Sequence, residues 1–181
     1  MNYKFLIILL IVVFLITAGV YVFVKKPARI FSPEIIITNF DECIEAGNPA
    51  MESYPRQCMT SDGEAFVEDI GDAIDKINLI RVDSILPNET ISSPLEITGE
   101  ARGFWFFEGD FPIKLIDSNG NLLGTAIAQA KTDWMTEEFV QFEATLIFDS
   151  LETKNGDLFF VKDNPSDISE YDDELRIPVK F

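Results

Sequence analysis

The stretch Val140-Gln141-Phe142-Glu143-Ala144-Thr145-Leu146-Ile147-Phe148 decides the fold. Val140, Phe142, Ala144, Leu146 and Phe148 fall at alternate positions, with Gln141, Glu143 and Thr145 between them. A two-residue period puts the first set on one face of a strand and the second on the other. One face is buried and one is wet, as in an antiparallel sheet with a core on one side. The alternation returns near the end of the chain, where Leu175, Ile177, Val179 and Phe181 are interleaved with Arg176, Pro178 and Lys180. Working outward, strand-like runs cover about 78–85, 95–102, 112–117, 122–130, 140–148, 157–162 and 175–181, and Asn119-Gly120 is a tight-turn pair between the third and fourth. About seven short strands with no sustained helical period predict an all-β sandwich of two aligned sheets over 78–181.

Upstream of these runs, residues 39–70 hold both cysteines, Cys43 and Cys58. Asn39 is placed to cap a short helix with Glu42 at the capping-box position, and Gly47 followed by Pro49 ends it. Asp62-Gly63 is a turn signal between Arg56-Gln-Cys-Met-Thr60 and Glu64-Ala-Phe-Val67, which predicts a hairpin. Cys43 would then sit on the helix and Cys58 on the hairpin. A disulfide between them closes a loop worth about 3 kcal/mol in the loop-entropy model, which suits a segment too short for a core of its own. Zinc would need four Cys or His ligands, and the chain has two Cys and no His. Nor is the spacing that of a redox C-x-x-C pair. Residues 71–77 read as a short linker to the sandwich.

The first part of the chain has a different character. Phe5 to Val24 reads FLIILLIVVFLITAGVYVFV, with no charge. At about 1.5 Å per residue it reaches roughly 30 Å, the thickness of a bilayer core. It also runs on past Thr17, Ala18 and Gly19, where a signal peptide would be cleaved. This predicts a transmembrane helix over 5–24, preceded by a cytoplasmic tip over 1–4 and followed by a Pro-punctuated stalk over 25–38. Lys25, Lys26 and Arg29 after the span argue, by the positive-inside rule, for a cytoplasmic C-terminal part. Against this, long C-terminal domains translocate largely regardless of charge, and paired cysteines belong to oxidising compartments. The expectation is a single-pass membrane protein, in contact with the lipid bilayer through 5–24, whose C-terminal part is extracytoplasmic. All 31 acidic residues lie at or beyond Glu34, and only 10 of the 14 cations do, so that part carries a formal net charge of −21. Such a surface repels phosphate backbones, and nucleic acid is excluded as a partner.

Several separated motifs occur together in the sandwich region: Ser92-Ser-Pro-Leu95, Gly99-Glu-Ala-Arg-Gly103 followed by Trp105-Phe-Phe-Glu108, Asp133-Trp-Met-Thr136, Asp163-Asn-Pro-Ser166 and Ile177-Pro-Val179. In this order they resemble the immunoglobulin-like domain of bacterial spore germination proteins, over about 78–181. The resemblance implies an immunoglobulin-like β-sandwich in a bacterial, envelope-associated, non-enzymatic module that binds other proteins or wall components.

No catalytic residue is assigned. Without His the commonest general base is missing. The carboxylate pairs, Glu108 with Asp110 or Asp172 with Asp173 and Glu174, are what an acidic chain gives by chance. No cofactor or metal is expected. Asp117-Ser-Asn119-Gly120-Asn121 looks like the start of a calcium loop but lacks the later bidentate Glu, and the turn accounts for it. A second oxygen-rich group comprises Asp163, Asn164, Ser166 and Asp167. The binding hypothesis rests on Phe104-Trp105-Phe106-Phe107 and Phe111, with Trp134-Met135. If the run is extended, alternate members face opposite sides and at least one large ring is exposed. Trp105, Phe106, Phe107, Trp134 and Met135 are the candidate binding surface. Its expected partner is an envelope protein, with wall glycan stacked on Trp105 or Trp134 as the alternative. The plainer reading is that these rings close one end of the core.

Overall fold

The computed structural model describes residues 3–4, 7, 10–16, 36–149, 153–166 and 168–181. The chain divides into two compact units, Met1–Ile36 and Ile37–Phe181, each described by itself. In the first, residues 10–16 are helical. Most of the span expected over 5–24, and nearly all of the stalk, lie outside the described residues. Among the described residues no helix is long and apolar enough to cross a membrane.

The second unit begins with the cysteine-bearing segment. Helix α1 (Phe40–Glu45) starts where Asn39 accepts a hydrogen bond from the Glu42 N–H at 2.9 Å. Glu42 itself accepts from the Thr38 N–H rather than from that of Asn39. The helix stops at Gly47, whose φ of +86° is open to glycine at little cost. Three short strands follow, β1 (Ala50–Met51), β2 (Gln57–Met59) and β3 (Ala65–Val67), paired antiparallel in that order. Cys43 of α1 and Cys58 of β2 form the disulfide. Both are fully buried beside Phe40, with Ile37 and Phe66 packed around them. The helix and the β2–β3 hairpin are as the capping and turn residues predict, whereas β1 has too few residues to show an alternation.

The sandwich contains β4 (Ile80–Val82), β5 (Leu95–Arg102), β6 (Asp110–Asp117), β7 (Leu122–Ala130), β8 (Phe139–Leu146), β9 (Asn155–Val161) and β10 (Glu174–Lys180). Their order is β10-β9-β6-β7-β8-β5-β4, and every ladder is antiparallel. The expected two separate sheets are therefore one continuous order. The joint is slight, since β7 meets β8 through the pairs Gln129–Glu143 and Ala130–Phe142, while β5 and β8 pair over eight residues from Leu95–Leu146 to Arg102–Phe139. The whole order surrounds one core as a sandwich. Its inner faces bury Ile97, Phe111, Ile113, Leu115, Leu146 and Leu158. Phe106, Phe111 and Phe142 form an edge-to-face ladder at 5.1 and 5.0 Å through the core.

The cysteine segment is seated on this sandwich. Arg176 of β10 donates to Asp69 at 2.6 Å and to Asp157 at 2.8 Å. Asn88 donates to the Asp69 carbonyl at 2.8 Å and to Glu68, which also forms a paired contact with Arg56. Residues 71–79, read as linker and first strand, form turns packed on β10: the Asp72 N–H donates to the Arg176 carbonyl, and a Cβ at Gly71 would stand 2.0 Å from that same oxygen.

Candidate functional site

One end of the sandwich is built from the β5–β6 connection and the loop between β7 and β8. After β5 the chain makes a 3₁₀ turn over Gly103–Trp105. It then reverses between Phe107 and Asp110, each of which donates its N–H to the other's carbonyl. Glu108 (φ +54°) and Gly109 (φ +87°) take the left-handed positions of that reversal. The facing loop, 131–138, is close enough that Gly103 must lack a side chain, since a Cβ there would stand 1.9 Å from the Thr136 carbonyl oxygen. The Gly103 N–H donates to the Glu138 carbonyl at 3.1 Å.

This geometry sorts the candidate residues. Trp105 is fully buried and Phe106 nearly so. They belong to the core and not to the surface on which the sequence placed them. Alternation assumed an extended run; a 3₁₀ turn with three residues per turn instead carries Trp105 and then Phe106 inward. Phe104, outside the candidate set, is exposed. Phe107 is partly exposed at 38%, and Met135 is exposed at 75%. Trp134 is half-buried, with its ring edge over the Gly109 Cα. Phe104, Phe107, Trp134 and Met135 thus lie on the two connections at this end, while Trp105, Phe106 and Phe111 are buried in the core.

The charges around it are mainly negative. Glu108, Asp133, Glu137 and Glu138 lie on the same two connections and Asp110 opens β6, and Asp163 is tied to them through its N–H, which donates to the Trp105 carbonyl. Burial, and then the neighbouring Asp110 charge, push the Asp163 carboxyl above its ordinary value. Arg102 reaches towards Glu138 at 3.8 Å, and its guanidinium lies 4.1 Å from the Phe139 ring centre.

The other oxygen-rich groups are explained by turns. Asp117, itself buried, accepts from the Asn119 and Asn121 N–H groups and from the Asn121 amide. The Asn121 amide contributes most to holding its carboxyl below the usual range. Asn164 accepts from Ser166 and donates to Asp172, and Asp167 lies outside the described residues. Asp173 pairs with Lys76. Among the described residues no group of three or more His, Cys, Asp or Glu is placed to hold a metal.

The fold that carries this loop end is a mostly β sandwich. The chain belongs to the Gmad2 family, described as the immunoglobulin-like domain of bacterial spore germination, whose family model matches residues 79–169. The match takes in β4 to β9 and stops before β10. No curated protein and no solved structure matches the chain.

Proposed function

We propose that the chain is a membrane-anchored, extracytoplasmic module without catalytic activity that docks a protein of the bacterial cell envelope through the loop end of its sandwich. The observation that carries this reading is the exposure of Phe104, Phe107 and Met135 on the two facing connections that also hold the half-buried Trp134. Large apolar groups gathered on a rigid floor, with a polar rim, are how protein interfaces are built. The sequence has no His, which supports a binding role over acid–base chemistry. The apolar run Phe5 to Val24 supports an anchor, and the Cys43–Cys58 disulfide supports an oxidising location for the domain. Wall glycan as the ligand has weaker support. Trp105 has no exposed face, and Trp134 alone would have to serve as the stacking platform.

The test compares the wild-type chain with Phe107→Glu and Met135→Glu in two assays, pull-down from solubilised envelope and sedimentation with purified wall material. Loss of one specific protein from the pull-down by both variants is the expected result. If both variants behave as wild type in both assays, the loop end is not a docking site. Loss in the sedimentation assay alone would transfer the site to glycan.

A further inference from the structure

The strands β4 and β10 are the two ends of the seven-stranded order, and they approach each other along one side of the sandwich. Between them runs an apolar groove of about 200 Å³. Its floor is the core itself, through the buried Ile80, Ile85, Leu175 and Ile177. Its walls come from elsewhere. Ile77 lies on the turn segment that follows the cysteine-bearing part, Leu86 on the connection after β4, and Tyr54 on the cysteine-bearing part, between β1 and β2. These three are exposed at 49%, 69% and 65% although they flank an apolar floor.

The groove suits side chains rather than an added strand. The free edge of β10 is already used, because the Asn88 N–H donates to the Pro178 carbonyl, the Lys180 N–H to that of Glu89, and the Asp72 N–H to that of Arg176. A ligand would therefore enter with apolar side chains between Tyr54, Ile77 and Leu86. Charge says what else it carries. Glu52, Asp75 and Asp83 stand within two residues of Tyr54, Ile77 and Val82, are exposed, and have no ion-pair partner among the described residues. The one charged residue of the lining, Arg81, is paired with Glu100 at 2.8 Å, and Lys76, next to Ile77, is paired with Asp173. A second copy of this chain would bring its own excess of carboxylates and be repelled.

From this we infer that the groove between β4 and β10 is a second docking surface, for a basic amphipathic segment of a partner protein whose apolar side chains enter beside Tyr54 and whose Lys or Arg side chains meet Glu52, Asp75 and Asp83. The inference rests on the reading of the chain as a binding module but uses a different face of it. It also gives the cysteine segment a part in recognition: the disulfide closes the loop that holds Tyr54.

The test uses the full chain in nanodiscs of neutral lipid, titrated with a fluorescent synthetic peptide of about fifteen residues made of Leu and Lys in helical amphipathic order, with empty discs as blank. A Leu/Glu peptide and a Ser/Lys peptide are the counterparts. Saturable one-to-one binding of the Leu/Lys peptide is expected, weakened about tenfold or more by Leu86→Glu and by Tyr54→Ala, with both counterpart peptides weaker by a similar factor. Thermal midpoints of the two variants, which alter exposed residues, show that they are folded. The inference is overturned by the absence of saturable binding, by a Ser/Lys peptide that binds as well as Leu/Lys, or by unchanged binding in Leu86→Glu and Tyr54→Ala. Met135→Glu should leave the affinity as it is. If that variant alone abolishes binding, the peptide sits at the loop end; the groove is then rejected while the loop-end reading stands.

Discussion

Gly103 sits beneath Thr136, so near that a methyl group on its Cα would stand 1.9 Å from the Thr136 carbonyl oxygen and 2.3 Å from that of Trp134. The 3₁₀ turn and the loop 131–138 therefore hold each other in place. Gly103→Ala should destabilise the domain by about 1–3 kcal/mol, because backbone on both sides must shift. Urea denaturation measures the loss. Acrylamide quenching of Trp134, one of two tryptophans in the chain, should rise as its loop lifts. An unchanged midpoint would mean that the two connections move apart without cost.

Trp105 and Met135 should separate stability from binding. Trp105→Ala removes a ring that is 0% exposed and is expected to cost about 3–5 kcal/mol. Met135→Ala, at 75% exposure, should change stability by no more than about 0.5 kcal/mol while weakening the docking proposed for the loop end. Chemical denaturation of the two variants side by side reads the difference. Comparable losses would contradict the burial assigned to the two side chains.

Acid should loosen the contact between the cysteine segment and β10. Arg176 holds the Asp69 carboxyl below its ordinary value of 3.8, and Arg56 holds that of Glu68 below 4.5. A carboxyl whose pKa is lowered by folding stabilises the native state above its unfolded value. That contribution disappears as pH falls through the folded one. These two carboxyls should thus make stability fall below about pH 4.5, with a shallower fall in Arg176→Ala, while Asp163, whose pKa is raised, acts with the opposite sign. At neutral pH that variant should lose about 1 kcal/mol, a modest figure because Asp69 is mostly exposed. Denaturation midpoints across the pH series decide this, and an equal acid slope in the variant would exclude Arg176 as its source.

Paired Cys43→Ser and Cys58→Ser substitutions should destabilise the cysteine segment by about 3 kcal/mol, as expected for a bridge with a sequence separation of 15. The sandwich has a core of its own and should keep it. Hydrogen exchange should therefore quicken over 40–67 and stay slow in β8. Uniformly faster exchange would show that the two parts unfold as one.

The strands were legible where one face is wet and the other dry. β5 and β7 occupy 95–102 and 122–130 as the alternation predicts, because Ile97, Ala101, Ala126 and Ala128 enter the core while Glu96, Thr98, Thr125 and Ile127 stay outside. The continuous strand order was not legible. It depends on two pairings at the β7–β8 joint, and no local pattern encodes them. At the loop end the sequence named an aromatic cluster, and the structure divides it between core and surface, with Trp105 and Phe106 buried and Phe107 and Met135 exposed. Nothing in Phe104-Trp105-Phe106-Phe107 announces a 3₁₀ turn except Gly103, and the closeness that demands Gly103 comes from a loop some thirty residues away. The groove was invisible for the same reason: Tyr54, Leu86 and Leu175 meet only through tertiary structure.

The pairing of Arg176 with Asp69 also sets a schedule. The two residues are 107 apart in sequence, so at ordinary rates of synthesis the cysteine segment is made roughly 5 to 20 seconds before the strand that receives it. Its disulfide joins residues only 15 apart, both made long before β10. The segment is thus complete as a chain before its seat exists, and it can dock only when β10 arrives.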